Sequence, residues 1–217
     1  QGLEDLMQQR QQDLLRQEPY STVRLYWNHD FRILLSLQTV VEVAKLLGVE
    51  SPLQPILSFP LGANEVTLQD LALLYQSLAT GQIFRDSKSP KNHWSLIQRI
   101  EDTGGRTIYA ANHQSRNVLD PGVNRALQEI MRSVVEYGTG RRAKRFLQTE
   151  YVREDGKQVT VQIPALGKTG TANNYSNATF VGHLPVPTRQ GMQTRGGYTI
   201  AVYVGSDRPG EAEATAN

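Results

Sequence analysis

The chain has 217 residues, enough for one substantial domain with its own core, or for a domain with an appendage. Apolar residues make up 39% and charged residues 20%, a globular composition, and a net charge of +2 gives no argument for nucleic acid or an anionic membrane as partner. The absence of cysteine excludes thiol catalysis, disulfides and thiolate metal sites within the chain, and no apolar run is long enough to span a bilayer.

Residues 1–18 place Leu3, Leu6, Leu14 and Leu15 at roughly helical spacing, which predicts a helix with a thin apolar stripe. The opening QGLEDLMQQRQQDLLRQ is neither a signal peptide nor a methionine start, and it reads as a chain entered in mid-gene. No period emerges across EPYSTVRLYWNHDFRI. SLQTVVEVAKLLGV restores the helical period, with Leu37, Val40, Val41, Ala44 and Leu47 on one face and Gly48 as the stop. SPLQPILSFPLGANE is an irregular connection. Thr67 then opens TLQDLALLYQSLATG, with Asp70 three residues on in an arrangement close to a capping box. The expected buried face of that helix is Leu68, Leu71, Leu74, Tyr75 and Leu78, and Gly81 ends it.

WSLIQRIEDTGGRTIYAAN alternates on both sides of Asp102-Thr103-Gly104-Gly105, a hairpin signal. Asp120-Pro121 opens a helix by N-cap and N1 logic, running to Gly138 and expected to pack through Val123, Leu127, Ile130 and Val134. EYVREDGKQVTVQI reads as a second hairpin. IPALGKTGTA, NATFVGHLP and GYTIAVYVG are expected as three consecutive antiparallel strands, the last two joined by a polar, Gly-rich turn, before a solvated tail. Helices come first and strands gather at the end, so the class is α+β, an antiparallel sheet flanked by helices.

The chemistry concentrates in LGKTGTANN, where Lys168 stands between Gly167 and Gly170 with hydroxyls at Thr169 and Thr171. A cation on a strand flanked by hydroxyls and glycines can hold a carboxylate against a sheet edge. A free strand amide can polarise a carbonyl. His29, His93, His113 and His183 show no spacing that suggests a metal site, and Trp27 and Trp94 read as packing residues. The run Arg141 to Arg145 reads as a solvated face, with contact to an anionic wall polymer as its sharper alternative, and Gly138-Thr139-Gly140 as a helix stop.

Five stretches in order, LLGV, PLGANEVTLQDLALLYQSLATG, EIMRSVVEYGTGRRA, GKTGTANN, and TFVGHLP with YTIAVYVG, carry a resemblance. From about Thr22 to Ser206 the chain resembles the transpeptidase domain of class A penicillin-binding proteins, the acyl-serine enzymes that cross-link peptidoglycan. The resemblance implies a serine β-lactamase/transpeptidase-like fold truncated at its N-terminus. Residues 1–35 would be a helical and irregular remnant of the upstream half, and 36–217 the C-terminal part of the domain. It implies D-Ala-D-Ala stem peptides and β-lactams as ligands, no cofactor, no metal, no nucleic acid, a periplasmic or extracytoplasmic place in the cell envelope, and a membrane anchor upstream. In such a site Lys168 would supply charge, Thr169, Gly170 and Thr171 would face the substrate, and the Thr171 amide would form half of the oxyanion hole.

The departures are as definite. No Ser-x-x-Lys precedes the motif, and the nearest mimic, Ser21-Thr22-Val23-Arg24, ends in an arginine that stays charged. Aligning TVRL with the family puts the Ser-x-Asn slot on Gln17-Glu18-Pro19, with Ser36-Leu37-Gln38 a weaker candidate. Ser115-Arg116-Asn117 is a literal Ser-x-Asn, but it falls where the family has a loop away from the cleft. The nucleophile is therefore expected outside this chain. The alternatives are a degenerate, non-catalytic homologue serving as a binding or scaffold module, and a serine β-lactamase, which the Gly-Thr-Gly phrase and the hairpin insertions disfavour.

Overall fold

The computed structural model describes residues 8–9, 12–13, 15–18, 21–87, 97–172 and 177–205. Of the helix expected over residues 1–18, positions 8–9, 12–13 and 15 are helical; Leu3, Leu6 and Leu14 lie outside the described residues. So do Pro19, His93, Trp94, Asn173, Asn174 and the tail from Ser206. The architecture is α+β, in two compact units. One holds the described residues up to Ala44 with Pro52–Glu65, the other Lys45–Ser51 with the described residues from Val66 onward.

In the first unit, the Ser21 hydroxyl accepts the Arg24 amide and caps α1 (Thr22–Tyr26). The Asn28 side chain accepts the Asp30 and Phe31 amides at 2.9 and 3.2 Å and opens α2 (His29–Leu46). The stretch without period thus contains one short helix and the first turns of another. Local caps start both helices where apolar spacing gives no sign. Leu37, Val41 and Ala44 are buried as expected, but Val40, on the rim of that narrow stripe, is 48% exposed. Trp27, expected to pack, is 54% exposed. The Pro-rich connection is closed by Asn64, which accepts the Gln54 amide at 2.7 Å and donates to the Gln54 carbonyl at 3.0 Å.

The second unit carries the site. Thr67 caps α3 (Leu68–Thr80), its hydroxyl accepting the Asp70 amide at 3.0 Å. The reciprocal half of the capping box is not made by Asp70. Its buried carboxylate instead accepts the Glu50 and Ser51 amides at 3.0 and 3.2 Å and the Ser51 hydroxyl, while Ser51 accepts the Thr67 amide at 3.3 Å. The shorter acid thereby ties the segment before the helix to its first turn. Leu68, expected on the buried face, is 42% exposed. Small residues take the closest contacts: Ala79 is fully buried, and the Ser77 hydroxyl donates to the Leu47 carbonyl at 3.1 Å.

Asp120 and Pro121 open α4 (Pro121–Glu136) as the sequence predicts, the Asp120 carboxylate accepting the Gly122 and Val123 amides. Its buried face differs from the expected one, because Val123 and Ile130 are exposed while Met131 and Val135 are buried. The reason is polar. Asn124 and Gln128 turn toward α3 and donate to the Leu78 and Ala79 carbonyls, each at 2.6 Å, satisfying acceptors at the helix end. A reading of apolar periodicity passes over two amides. Met131, Ala79 and Leu166 form the core here, with Tyr75 and Leu78 against it.

Three two-stranded ribbons precede the main sheet in the chain: β1 (Gln82–Asp86) with β4 (His113–Asn117), β2 (Arg99–Glu101) with β3 (Thr107–Ala110), and β5 (Gln148–Val152) with β6 (Gln158–Gln162). Both hairpins expected from sequence are present, as β2–β3 and β5–β6. The β1–β4 ribbon was not anticipated, since every residue of β4 is exposed and shows no alternation. The main sheet is β7 (Leu166–Thr171), β8 (Asn177–Thr188) and β9 (Gly191–Gly205), antiparallel, with β8 central. The last two strands are longer than expected, and only Arg189 and Gln190 turn between them. Most of the polar, Gly-rich segment is strand, interrupted by a register shift between Leu184 and Val186. Pro185, which has no N–H to donate, falls in that break.

His183 holds the break in place. It is 1% exposed, with Nε2 2.8 Å from the Thr194 carbonyl and Nδ1 2.8 Å from the Thr199 hydroxyl. A carbonyl only accepts, so Nε2 carries the proton and Nδ1 accepts from Thr199. Burial lowers the His183 pKa from its ordinary 6.5, against a smaller opposing effect of the Thr194 bond. A depressed histidine stabilises the fold fully above the unfolded value, and that stability is lost as pH falls through the folded value. The urea midpoint should therefore drop between about pH 7 and about pH 5, and drop less in His183→Gln. Parallel pH profiles for the two proteins would refute this.

Candidate functional site

The motif occupies an edge strand. β7 pairs only with β8, in the register Leu166↔His183, Lys168↔Val181, Thr169↔Phe180 and Thr171↔Ala178, so its other side has no strand partner among the described residues. Alternation gives the two faces different work. Leu166 is buried against the α3–α4 core and shares its face with Lys168, which emerges exposed at the edge with Nζ 2.8 Å from the Thr169 carbonyl. Gly167, Thr169 and Thr171 lie on the opposite face, with Phe180 and Ala178 beside them.

The end of α4 supplies the second wall. Gly138 and Gly140 return their amides to Ser133 and Val134 at 3.0 Å each, folding the chain down on the last helical turn. A Cβ at Gly138 would stand 2.9 Å from both Cα and O of Val134, so only glycine fits this close return. Between the two glycines, the Thr139 hydroxyl is hydrogen-bonded to that of Thr169. Tyr137, Gly138, Thr139, Arg141, Arg142, Thr169 and Thr171 line an open concavity of about 530 Å³. A second concavity of about 210 Å³ shares Thr139, Arg142 and Thr169 and continues over Phe180, Val202 and Val204.

Hydroxyls, a strand edge and a basic rim meet here, a set of donors that can accept an anionic group, and no carboxylate is in the lining of either concavity. No protein-family model matches the chain. Individual relatives do. Penicillin-binding protein 1A of Aquifex aeolicus is 30% identical over 151 residues, 70% of this chain and 18% of that protein. Penicillin-binding protein 1A of Rickettsia typhi is 27% identical over 191 residues, 82% of this chain and 21% of its own length. Penicillin-binding protein 4 of Bacillus subtilis is 30% identical over 117 residues, 54% of this chain and 15% of its own.

The chain is a homologue of the penicillin-binding proteins. It spans about a fifth of the length of these relatives. Among solved structures, penicillin-binding protein A from M. tuberculosis, determined as an imipenem acyl-enzyme complex, matches 84% of this chain and 38% of its own at 17% identity, with a TM-score of 0.38. At that score it adds nothing to the assignment.

In this penicillin-binding-protein homologue, Thr169 and Thr171 share one concavity with Thr139, while the Lys168 side chain is not part of its lining. Ser21 is a helix cap, its hydroxyl 3.3 Å from Gln17, and the Ser36 hydroxyl donates to the Arg32 carbonyl at 2.9 Å. Ser115 lies on β4 in a separate pocket with Ile83 and Arg85. Thr139, Arg141 and Arg142 are the residues that sequence reasoning left out, as a helix stop and a solvated face. Their signal was the position of a Gly-Thr-Gly directly after a helix that leads to the sheet. Among the described residues no group of acids and histidines could hold a metal ion, and no helix is long and apolar enough to cross a membrane.

Proposed function

We propose that the chain is the ligand-receiving part of a serine-type D,D-transpeptidase domain, taking peptidoglycan stem peptides that end in D-Ala-D-Ala, and β-lactams in their place. The Thr169 and Thr171 hydroxyls take the terminal carboxylate, the Thr171 amide forms one half of the oxyanion hole, and Lys168 contributes charge from the other face of the strand. Residues 1–35 belong to the upstream half of that domain and 36–217 to its C-terminal part. The setting is the extracytoplasmic side of the cell envelope, where peptidoglycan is assembled.

The observation that carries the reading is the edge of β7, without a strand partner among the described residues, with its hydroxyls opening on a concavity lined by no carboxylate. Gly170 lies on the Lys168 face of the strand, where a Cβ would meet only Thr179 Cβ at 3.6 Å, an ordinary contact, so packing within the protein does not require glycine there. A second reading, a binding module without turnover, is favoured by Gln17-Glu18-Pro19 in the Ser-x-Asn slot.

Calorimetric titration of the 217-residue chain with an N-acyl-D-Ala-D-Ala peptide and with its C-terminal amide tests the site. The free acid should bind about tenfold more tightly than the amide, the difference expected of a charge-assisted hydrogen bond. Lys168→Ala should weaken the free acid. Equal binding of acid and amide would remove the carboxylate from the β7 site.

A further inference from the structure

The β7 concavity carries more positive charge than a single carboxylate requires. Of the run Arg141 to Arg145, Lys144 is paired with Glu136, and Arg145 lies over the Phe146 ring at 5.5 Å. Arg141 and Arg142 line the concavity, are exposed, and form no ion pair among the described residues. Their backbone is nevertheless fixed. Arg141 N donates to Gly138 O at 3.2 Å and Ala143 N to Gly140 O at 3.0 Å, on a Gly140 that is itself buried and anchored to Val134. Two neighbouring arginines on this hydrogen-bonded turn put two positive charges at one rim, and an anion bound there offsets their repulsion while accepting forked hydrogen bonds.

We propose that Arg141 and Arg142 form a second anion subsite, so that the ligand of this site is a diacid peptide. Its terminal carboxylate goes to the Thr169–Thr171 face, and a carboxylate on a residue upstream of D-Ala-D-Ala goes to the two guanidinium groups. The assignment of the first carboxylate rests on the function proposed above; the second rests on the arginines alone. Arg142 borders both concavities, so a side chain leaving the main cleft toward Phe180 and Val202 passes it.

The test uses the whole chain and two N-acyl peptides ending in D-Ala-D-Ala, one with Glu and one with Gln in the position before them. At low salt the Glu peptide should bind about tenfold more tightly, and the advantage should shrink as ionic strength rises. In Arg141→Gln/Arg142→Gln the ratio should fall to about one, with far-UV circular dichroism confirming the fold; replacement by lysine should retain part of it. Equal affinity of the two peptides, with the free terminal carboxylate still required, sinks the second subsite and leaves the β7 reading intact. A Glu preference that persists in the double variant also sinks it. A Glu preference that depends on the arginines but not on the terminal carboxylate sinks the β7 reading and leaves the arginine subsite. Binding of neither peptide overturns both.

Discussion

Treated with a fluorescent penicillin, the 217-residue chain is expected to form no covalent adduct. Acylation needs a serine nucleophile, a base to take its proton and donors for the developing oxyanion. The proposed site offers the donors, through the Thr171 amide, and charge, through Lys168. No serine lines either concavity beside β7, and no Ser-x-x-Lys occurs in the chain. The serines at the tempting positions are committed to local structure, Ser21 as a helix cap and Ser36 to the Arg32 carbonyl. In a longer polypeptide that supplies a Ser-x-x-Lys segment, labelling should appear. There Lys168→Ala should reduce it by about 10²-fold, the size of effect that follows loss of one group stabilising the developing charge. Gel labelling with mass spectrometry of any adduct decides the matter. A β-lactam ester on Ser21 or Ser36 would show that the nucleophile lies in this chain after all, and unchanged labelling of Lys168→Ala would take the motif out of the acylation chemistry.

What was legible in the sequence follows the reach of the signals. Local punctuation was readable: Thr67 and Gly81 bound α3, Asp120-Pro121 opens α4, and the glycines at the two hairpin tips mark β2–β3 and β5–β6. The strand placement of Lys168 and the order β7-β8-β9 were readable from alternation. Features set by distant partners were not. The polar, Gly-rich segment after Pro185 suggested a turn, whereas most of it is strand, with the His183–Thr194 bond across the register shift between two long strands. Asn124 and Gln128 lay hidden on the packed face of α4 because their value lies in carbonyls of another helix. The role of Thr139 depends on a hydroxyl thirty residues later in the chain, and no window of the sequence displays that pairing.

Substituting Gly167 or Gly182 should unsettle the sheet beneath the site, and the two should respond differently to one relief. They are paired across β7 and β8, and the Phe180 ring lies over both. A Cβ at Gly182 would stand 2.8 Å from Phe180 Cε1 and 3.1 Å from the Leu166 carbonyl; one at Gly167 would stand 2.9 Å from Phe180 Cζ and 2.8 Å from the Val181 carbonyl. Apolar carbons pack at about 3.5–4.0 Å, so neither position admits alanine unless something moves. Each substitution should cost about 1–3 kcal/mol in urea unfolding, the usual size of an overpacking defect. Phe180→Leu frees the ring's space, so Gly182→Ala should cost much less in that background. Gly167→Ala should stay costlier, because its backbone obstacle, the Val181 carbonyl, stands at 2.8 Å, against 3.1 Å for the Leu166 carbonyl at Gly182. Gly170→Ala serves as the control, since its nearest neighbour is a side-chain carbon at 3.6 Å, and should leave stability unchanged or slightly raised through lost chain entropy in the unfolded state. Additive costs for Gly182→Ala and Phe180→Leu would show that the ring is not what demands glycine there. Loss of ligand binding in Gly167→Ala with stability intact would instead assign that glycine to the site.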